Sequence, residues 1–274
     1  MTIRDEQIRA LEDASWRGFE GRMFERVHTY FPKPAEQLGE IQLRVLTRYA
    51  VTRAERHLLT HERSIALYLD LMFVLGSNFD EDSQIPWAAA ILADDSFPTQ
   101  ADRIDRLHKE GWEYGLKIEA DFQSPAENGS RSSLIEAIAE VRRQSVERMS
   151  LAEARSTENE IILWFQFLFP VKCGLIGDER VRGLVREAFE KAAQYGIANA
   201  RGAWLFSALM FVLGTGFDSD PQFPWASQAL SVGSLSEEVA RTDRLYTAAR
   251  GALKRWWGVD LGAQDVTHAM LQYG

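Results

Sequence analysis

Apolar residues recur at helical spacing along almost the whole chain, whereas few stretches alternate with a period of two. Leu43, Leu46 and Ala50, for example, fall on a single face of a helix. This pattern predicts an all-α fold. Two segments, Ser64 to Leu75 and Gly202 to Leu213, are apolar around most of the helix, so we expect both at the centre of the structure.

The chain contains the same segment twice. Leu71–Leu92 and Leu209–Leu230 are identical at 14 of 22 positions, and the offset of 138 residues holds without a gap from residue 31 against 169 through residue 107 against 245. This repetition predicts two tandem, homologous helical modules that arose by internal duplication. Residues kept in both copies are expected to build the fold, and residues present in one copy only are where a specific function is sought.

A stretch without apolar periodicity separates the two copies. Phe122–Ser133 is rich in Ser, Gly, Pro and Asn, a composition typical of a linker. The sequence therefore predicts an N-terminal module over residues 1–121, a linker over 122–133 and a C-terminal module over 134–274. A helix is expected to resume from Leu134 to Arg155, and a capping helix is expected from Ala263 to Leu271.

Glycine and proline stand at matching places in the two copies. Gly76 and Gly214 follow the two apolar helices and are predicted to end them, since glycine adopts positive φ without steric cost. Pro86 and Pro224 suit the first turn of a short helix after the FDxD loop. Two further helices, over residues 36–55 and 174–193, are predicted to run without interruption.

The acidic excess of the chain lies in its first half. Net charge is −9; residues 1–140 contain 25 acids against 16 Lys and Arg, whereas residues 141–274 contain 15 of each. Phosphate contacts need clustered Lys and Arg, so direct binding to nucleic acid is not expected. The acidity suits either attraction to a basic protein partner or solubility alone.

Cysteine content and the N-terminus indicate the compartment. The single cysteine, Cys173, excludes an intrachain disulfide and is expected to be a small buried apolar residue. The N-terminus has acids within its first six residues and no apolar run of signal-peptide length, and no stretch is long and free enough of charge to span a bilayer. These features predict a cytoplasmic protein without membrane contact.

Acids within the repeated block are candidates for a metal site or for loop caps. Asp80 and Asp82 recur as Asp218 and Asp220, but the glycine and the terminal Glu of an EF-hand loop are absent. We therefore expect carboxylates that cap backbone N–H groups. A repeated arginine is expected to form an ion pair with them; the candidates are Arg63, Arg103 and Arg106, with Arg201, Arg241 and Arg244 in the second copy.

Asp105 and Arg106 recur as Asp243 and Arg244, each pair followed by Leu. An acid–base catalytic pair is conceivable at this spacing. Repetition in both copies favours an ion pair between helices, or one that anchors the FDxD loop. The repeated tryptophans, Trp87 and Trp225, are expected to fill the core.

His57 and His61 are four residues apart, a spacing that can place two imidazoles on one metal ion. Neither is repeated in the second copy, and no third ligand is evident. We predict no metal site.

Between residues 71 and 102, four acids of the first copy have no acidic counterpart in the second. The second copy has Ser, Val, Gly and Ala at the corresponding positions. Because these acids are private to the first module, we expect them on a surface that contacts a partner. They are Glu81, Asp94, Asp95 and Asp102.

Common enzyme motifs are missing from the sequence. It has no Gly-rich phosphate loop after a strand, no G-x-S-x-G and no cysteine with an interpretable histidine. The sequence therefore predicts no catalytic residues and no cofactor, with a helical hydrolase that uses carboxylates as the remaining enzymatic alternative.

The repeated block reads LMFxLGxxFDxDxxxPWA, with Phe-Pro upstream and Asp-Arg-Leu downstream. It resembles the block of small helical bacterial proteins encoded beside type VI secretion spike and PAAR-type effectors, over Phe31–Lys117 and again over Phe169–Arg255. The matching residues are Leu71, Met72, Gly76, Phe79, Asp80, Asp82, Pro86, Trp87, Asp105, Arg106 and Leu107, and then Leu209, Met210, Gly214, Phe217, Asp218, Asp220, Pro224, Trp225, Asp243, Arg244 and Leu245.

With two modules, the chain is most similar to immunity proteins that neutralise a PAAR-domain nuclease toxin. The resemblance implies an antitoxin in the cytoplasm that binds the basic toxin domain and blocks its DNase site. The motif supplies no binding residues, so the four private acids are chosen by their charge and by their absence from the second copy. An adaptor or chaperone that loads an effector onto the secretion spike is the alternative from a different class.

Overall fold

The computed structural model describes residues 5–123, 141–231 and 238–257, and within these ranges the chain forms helices and no strand. The all-α prediction is confirmed for these residues. The helices are α1 Asp5–Tyr30, α2 Pro32–Arg56, α3 Glu62–Leu75, α4 Pro86–Leu92, α5 Gln100–Gln123, α6 Leu151–Leu168, α7 Pro170–Ile176, α8 Asp178–Gln194, α9 Ala200–Leu213, α10 Pro224–Ser231 and α11 Glu238–Trp257, with a 3₁₀ turn at Phe79–Glu81.

Buried apolar side chains form two clusters, one within residues 23–107 and the other within residues 141–253. The first lies in what we call the N-terminal half (residues 5–123), the second in the C-terminal half (residues 141–257). The predicted central position of α3 and α9 is confirmed, since most side chains of α3 and nearly all of α9 are buried. Helix α3 packs against α1, α2 and α5, and α9 packs against α6, α8 and α11. The lone cysteine, Cys173, is buried.

The two halves contact each other through matching helices. Helix α5 of the N-terminal half packs on α7, and α11 of the C-terminal half packs on α2. The Gln37 side chain also donates to the carbonyl of Arg255 at 2.9 Å. In each case the long helix that comes after the FDxD loop and its short helix in one half meets the helix that begins at the Phe-Pro of the other.

Two helices that the sequence predicts to be continuous are broken by glycine. Gly39 has φ 70° and ψ 168° within α2, and Gly177 has φ 87° between α7 and α8. Positive φ is costly for any residue with a side chain, so both glycines interrupt the helical hydrogen bonds. The apolar spacing continues across each break, which explains why periodicity alone misses it.

The helix predicted from Leu134 to Arg155 is wrong over residues 142–150, which form turns and extended chain. Here Arg148 bridges to Asn199, and the Met149 N–H donates to the Ala198 carbonyl. Helix α6 begins only after Ser150, whose side chain accepts from the Glu153 N–H in a capping box. Residues 134–140 lie outside the described residues, as does the predicted capping helix over 263–271.

Only the first two residues of the predicted linker lie among the described residues. Helix α5 continues through Gln123, so residues 122 and 123 are helical, and the remainder of the predicted linker lies outside the described residues.

Within the described residues, no single helix is long and apolar enough to cross a membrane. Helices α6 and α7 together meet the length and apolarity criteria, but only as a pair bent by 114°.

Gly76 and Gly214 end α3 and α9 with φ of 96° and 99°. A Cβ at Gly76 would lie 3.0 Å from the carbonyl oxygen of Leu213, and one at Gly214 would lie 3.1 Å from Asp82 Oδ2. Both positions therefore require glycine twice over, for the backbone angle and for the close approach of the other half.

We expect Gly214→Ala to destabilise the protein by ~1–3 kcal/mol, because it adds strain at positive φ. Gly174→Ala is the matched control, since a Cβ there meets nothing within 4 Å on the exposed side of α7. Because alanine has a higher helix propensity than glycine, Gly174→Ala should leave the stability unchanged or raise it by up to ~1 kcal/mol. Urea unfolding followed by tryptophan fluorescence measures both; equal effects of the two substitutions would contradict the proposed close approach.

Candidate functional site

The loops after α3 and α9, residues 76–85 and 214–223, lie against each other, and we call this contact the loop junction. The Ser77 N–H donates to Asp220 Oδ2 at 2.8 Å, and the Thr215 N–H donates to Asp82 Oδ2 at 3.1 Å. Each carboxylate also accepts the N–H of the residue two positions later in its own loop, at 2.8 Å. Each aspartate therefore closes its own loop and holds the loop of the other half.

Two glutamines extend the junction to the helix ends. Gln84 Nε2 donates to the Met210 carbonyl at 2.9 Å, and Gln222 Nε2 donates to the Met72 carbonyl at 2.8 Å. Each of these carbonyls also accepts the N–H of the glycine that ends its helix, at 3.0 Å, so the amide supplies a second hydrogen bond at the end of the central helix in the opposite half. Both glutamines stand at the 138-residue offset, and this identity between the copies is the signal that could have singled them out.

The junction is buried and carries charge. Asp82 is 6% exposed and Asp220 3% exposed. Burial raises the pKa of both carboxyl groups, against the effect of the N–H groups that donate to them. Lys172, also buried, acts electrostatically on Asp82 in the opposite direction, and its Nζ donates to the Phe211 carbonyl.

Asp80 belongs to a separate cluster within the N-terminal half. The Arg53 guanidinium donates to both of its carboxylate oxygens, and His57 Nε2 lies 2.8 Å from Asp80 Oδ2. Burial opposes ionisation, yet the hydrogen bonds from His57 and Arg53 prevail and lower the pKa of Asp80. The buried phenol of Tyr68 has its pKa raised by burial and by the nearby Asp80 charge.

In the C-terminal half the corresponding contacts differ in chemistry. Asp218 accepts from the Tyr195 hydroxyl at 2.8 Å. Lys191, at the position that corresponds to Arg53, donates to the Thr215 carbonyl at 2.6 Å. Asp80 and Asp218 thus bind groups at the C-terminal ends of α2 and α8 in their own halves, whereas Asp82 and Asp220 bind across the junction.

The predicted arginine partners of the loop aspartates are wrong. Arg63 pairs with Asp105 at 2.7 Å and Arg201 with Asp243 at 3.3 Å, which links each central helix to the helix after the loop. Arg63 lies in the first turn of α3, and at 1.5 Å per residue a helix of this length separates its first turn from the loop by roughly 20 Å. Arg53 stands instead in the last turn of α2, next to the loop.

Neither Asp-Arg pair touches the loop junction. Arg106 pairs with Glu110 one turn further along α5, at 2.7 Å, and Arg244 is half-buried on α11. Of the two roles expected for this motif, the contact between helices is present through Asp105 and Asp243, and the anchoring of the loop is not. Trp87 and Trp225 are half-buried and pack against the edges of the two apolar clusters.

The four private acids are not all in one place. Asp94 and Asp95 are exposed in the connection between α4 and α5, and Asp102 is exposed in the first turn of α5, where its side chain bonds Thr99. Asp94 accepts from the Ser96 N–H, and the hydrogen bonds from Ser96 lower its pKa. Glu81 lies elsewhere, on the 3₁₀ turn.

Glu81 is exposed but paired. Its carboxylate lies 3.1 Å from Arg53 Nη1 and 3.8 Å from Arg56 Nη1. The two histidines considered for a metal are also accounted for: His57 contacts Asp80, and His61 precedes the first residue of α3. In the parts of the chain that the structure describes, no group of three or more His, Cys, Asp or Glu is arranged to hold a metal ion.

Comparison with known proteins gives no further identification. No family model matches the chain, and no curated protein or solved structure is detectably similar to it.

We expect Asp82→Asn to destabilise the protein by ~1–3 kcal/mol, because the amide that replaces Oδ2 cannot accept from the Thr215 N–H and leaves it buried without an acceptor. Asp105→Asn is the matched control: its ion pair with Arg63 is exposed and is worth less than ~1 kcal/mol. Urea unfolding compares the two. Equal, small effects would mean that the cross-loop bond does not hold the halves together.

Asp80 predicts a particular dependence of stability on pH. Because its pKa is lowered in the folded protein, its contribution is present above the unfolded-state pKa of about 4 and is lost as pH falls through the lower folded-state value. The difference in unfolding free energy between the wild type and Asp80→Asn should shrink as the pH falls below about 4. Taking this difference cancels the contributions of the other carboxyl groups to the free energy of unfolding. A difference that stays the same down to pH 3 would contradict the lowered pKa of Asp80.

Proposed function

We propose that the chain is an immunity protein that binds and inhibits a nuclease toxin of type VI secretion in the cytoplasm, and that it acts by binding without catalysis. The resemblance of the repeated block supports this proposal. The main supporting observation is that the loop carboxylates accept hydrogen bonds from groups of the protein itself. This holds for Asp80, Asp82, Asp218 and Asp220. The densest acidic motif thus serves as scaffold, and the exposed surface is left for recognition.

We further propose that the two halves derive from internal duplication of one helical module. The sequence repeat supports this, together with the matching contacts of Asp82 and Asp220 and of the packed pairs α5–α7 and α11–α2. Under this proposal the shared contacts maintain the scaffold, and each half is free to differ at exposed positions. A toxin surface evolved for DNA is basic, and an acidic protein associates with it rapidly by electrostatic attraction.

Co-expression with the nuclease domain of the effector encoded beside this gene tests the function. We expect growth of a sensitive cell to be restored and the two proteins to purify together. Failure of both would remove the immunity proposal. If loss of the gene instead abolishes effector delivery and leaves cells insensitive to their own toxin, the protein is the adaptor or chaperone of the alternative proposal.

The private acids give a kinetic prediction. Changing Asp94→Lys and Asp95→Lys together should slow association with the toxin domain about tenfold or more at low salt, and the effect should fade at high salt because screening removes long-range attraction. Stopped-flow mixing measures the rate. The control is Glu12→Lys with Asp13→Lys, an equal charge change on exposed α1; equal slowing by both pairs would leave net charge, and not this site, as the cause.

A further inference from the structure

Four large apolar side chains are exposed where α6 meets α7. Leu163 and Phe167 are 66% and 75% exposed, and Val171 and Leu175 are 43% and 40% exposed. Within each helix the two residues are four apart and so share one side. Helix α7 begins at Pro170, directly after α6, with a bend of 114° between the two helices. We call these four residues the elbow surface.

The same positions are polar in the N-terminal half. At the 138-residue offset Leu163, Phe167, Val171 and Leu175 correspond to Glu25, Thr29, Lys33 and Gln37, which are also exposed. The helices of the N-terminal half form with polar residues there, so the fold does not require apolar ones. Four apolar residues at exposed positions indicate that a binding partner covers them when the protein functions.

The Phe167 ring is held in position although it is exposed. It stacks on Trp164 with ring centroids 6.1 Å apart, and Trp164 meets the buried Trp204 edge-on at 6.4 Å. A ring that is already fixed loses little conformational entropy when a partner covers it, which favours its use as an anchor. Gly174 leaves open space between Val171 and Leu175, because nothing lies within 4 Å of its Cβ position.

Acids border the elbow surface. Glu160 is one turn before Leu163 on α6, and Asp178 lies beside α6, where its Oδ1 accepts from Gln166 Nε2 at 3.1 Å. Glu160, Asp178 and Glu179 are all exposed. Of the neighbouring basic residues, Lys172 is buried, Arg180 donates to the Ile176 carbonyl at 3.2 Å, and Arg182 donates to Asn159 at 3.3 Å and lies 3.7 Å from Glu158.

We propose that the elbow surface is the contact surface for the basic toxin domain, with Leu163 and Phe167 as its apolar anchors and Glu160 and Asp178 opposite Lys or Arg of the toxin. This inference rests on the proposed function for the identity of the partner. The acidic border selects a basic occupant. A second copy of this chain is disfavoured, since a symmetric contact would bring the same acids of both copies together.

The decisive variant is Leu163→Ser with Phe167→Ser, tested against the nuclease domain encoded beside the gene. We expect its Kd for that domain to rise at least about 30-fold and protection in co-expression to be lost. The control is Ile41→Ser, which removes an apolar side chain 82% exposed on α2 and should change Kd less than about twofold. Circular dichroism and thermal unfolding establish that both variants are folded; the changed side chains are exposed, so we expect no loss of structure.

A second variant tests the acidic border. Glu160→Lys with Asp178→Lys should weaken binding about tenfold at low salt and less at high salt. Unchanged binding in both double variants, with a wild type that binds and protects, would overturn the elbow surface and leave the proposed function standing. A wild type that neither binds nor protects would overturn the function itself. Conversion of a wild-type dimer to monomer by the serine variant, with toxin binding intact, would assign the surface to self-association and overturn the proposal.

Discussion

Two buried carboxylates, Asp82 and Asp220, each accept hydrogen bonds from both halves of the protein at once. A buried carboxylate is costly unless its oxygens are bonded, so the exchange of N–H donors between the loops has to be complete. For all of these hydrogen bonds to form, the two loops must approach each other without side chains between them. Only glycine at positions 76 and 214 allows this approach. The helix ends, the loops and the contact between the halves are thus set by one interaction.

This interaction explains why the repeated block is shared. In each copy the glycine that ends the central helix, the second aspartate of the FDxD motif and the glutamine after it contact the opposite half, so a change in one copy damages contacts made by the other. Gln84, for example, bonds the end of α9, and Gln222 bonds the end of α3. Residues outside the junction carry no such constraint. Asp80 and Asp218, which bond within their own halves, have already taken different partners.

The halves differ at exposed positions. The N-terminal half carries the acidic excess, with Asp94 and Asp95 in an exposed connection, while the C-terminal half replaces polar residues by Leu163 and Phe167 at the elbow surface. The two features suit different stages of binding to a basic protein. Dispersed charge speeds encounter over distances near the Debye length, whereas apolar anchors slow dissociation after contact.

The sequence by itself determined the helical class, the ends of the central helices at Gly76 and Gly214, and the structural role of the repeated aspartates. Apolar periodicity and glycine positions are local signals, and a repeat can be recognised by comparing one part of the chain with another. It did not determine which groups those aspartates bind. Asp82 bonds Thr215, 133 residues away, and such a contact depends on how the helices pack and on no local pattern. Leu163 and Phe167 have the spacing of core residues, since periodicity identifies a face of a helix and not what covers it. Only the tertiary structure decided that this face is open, because burial depends on which helices come to lie against one another.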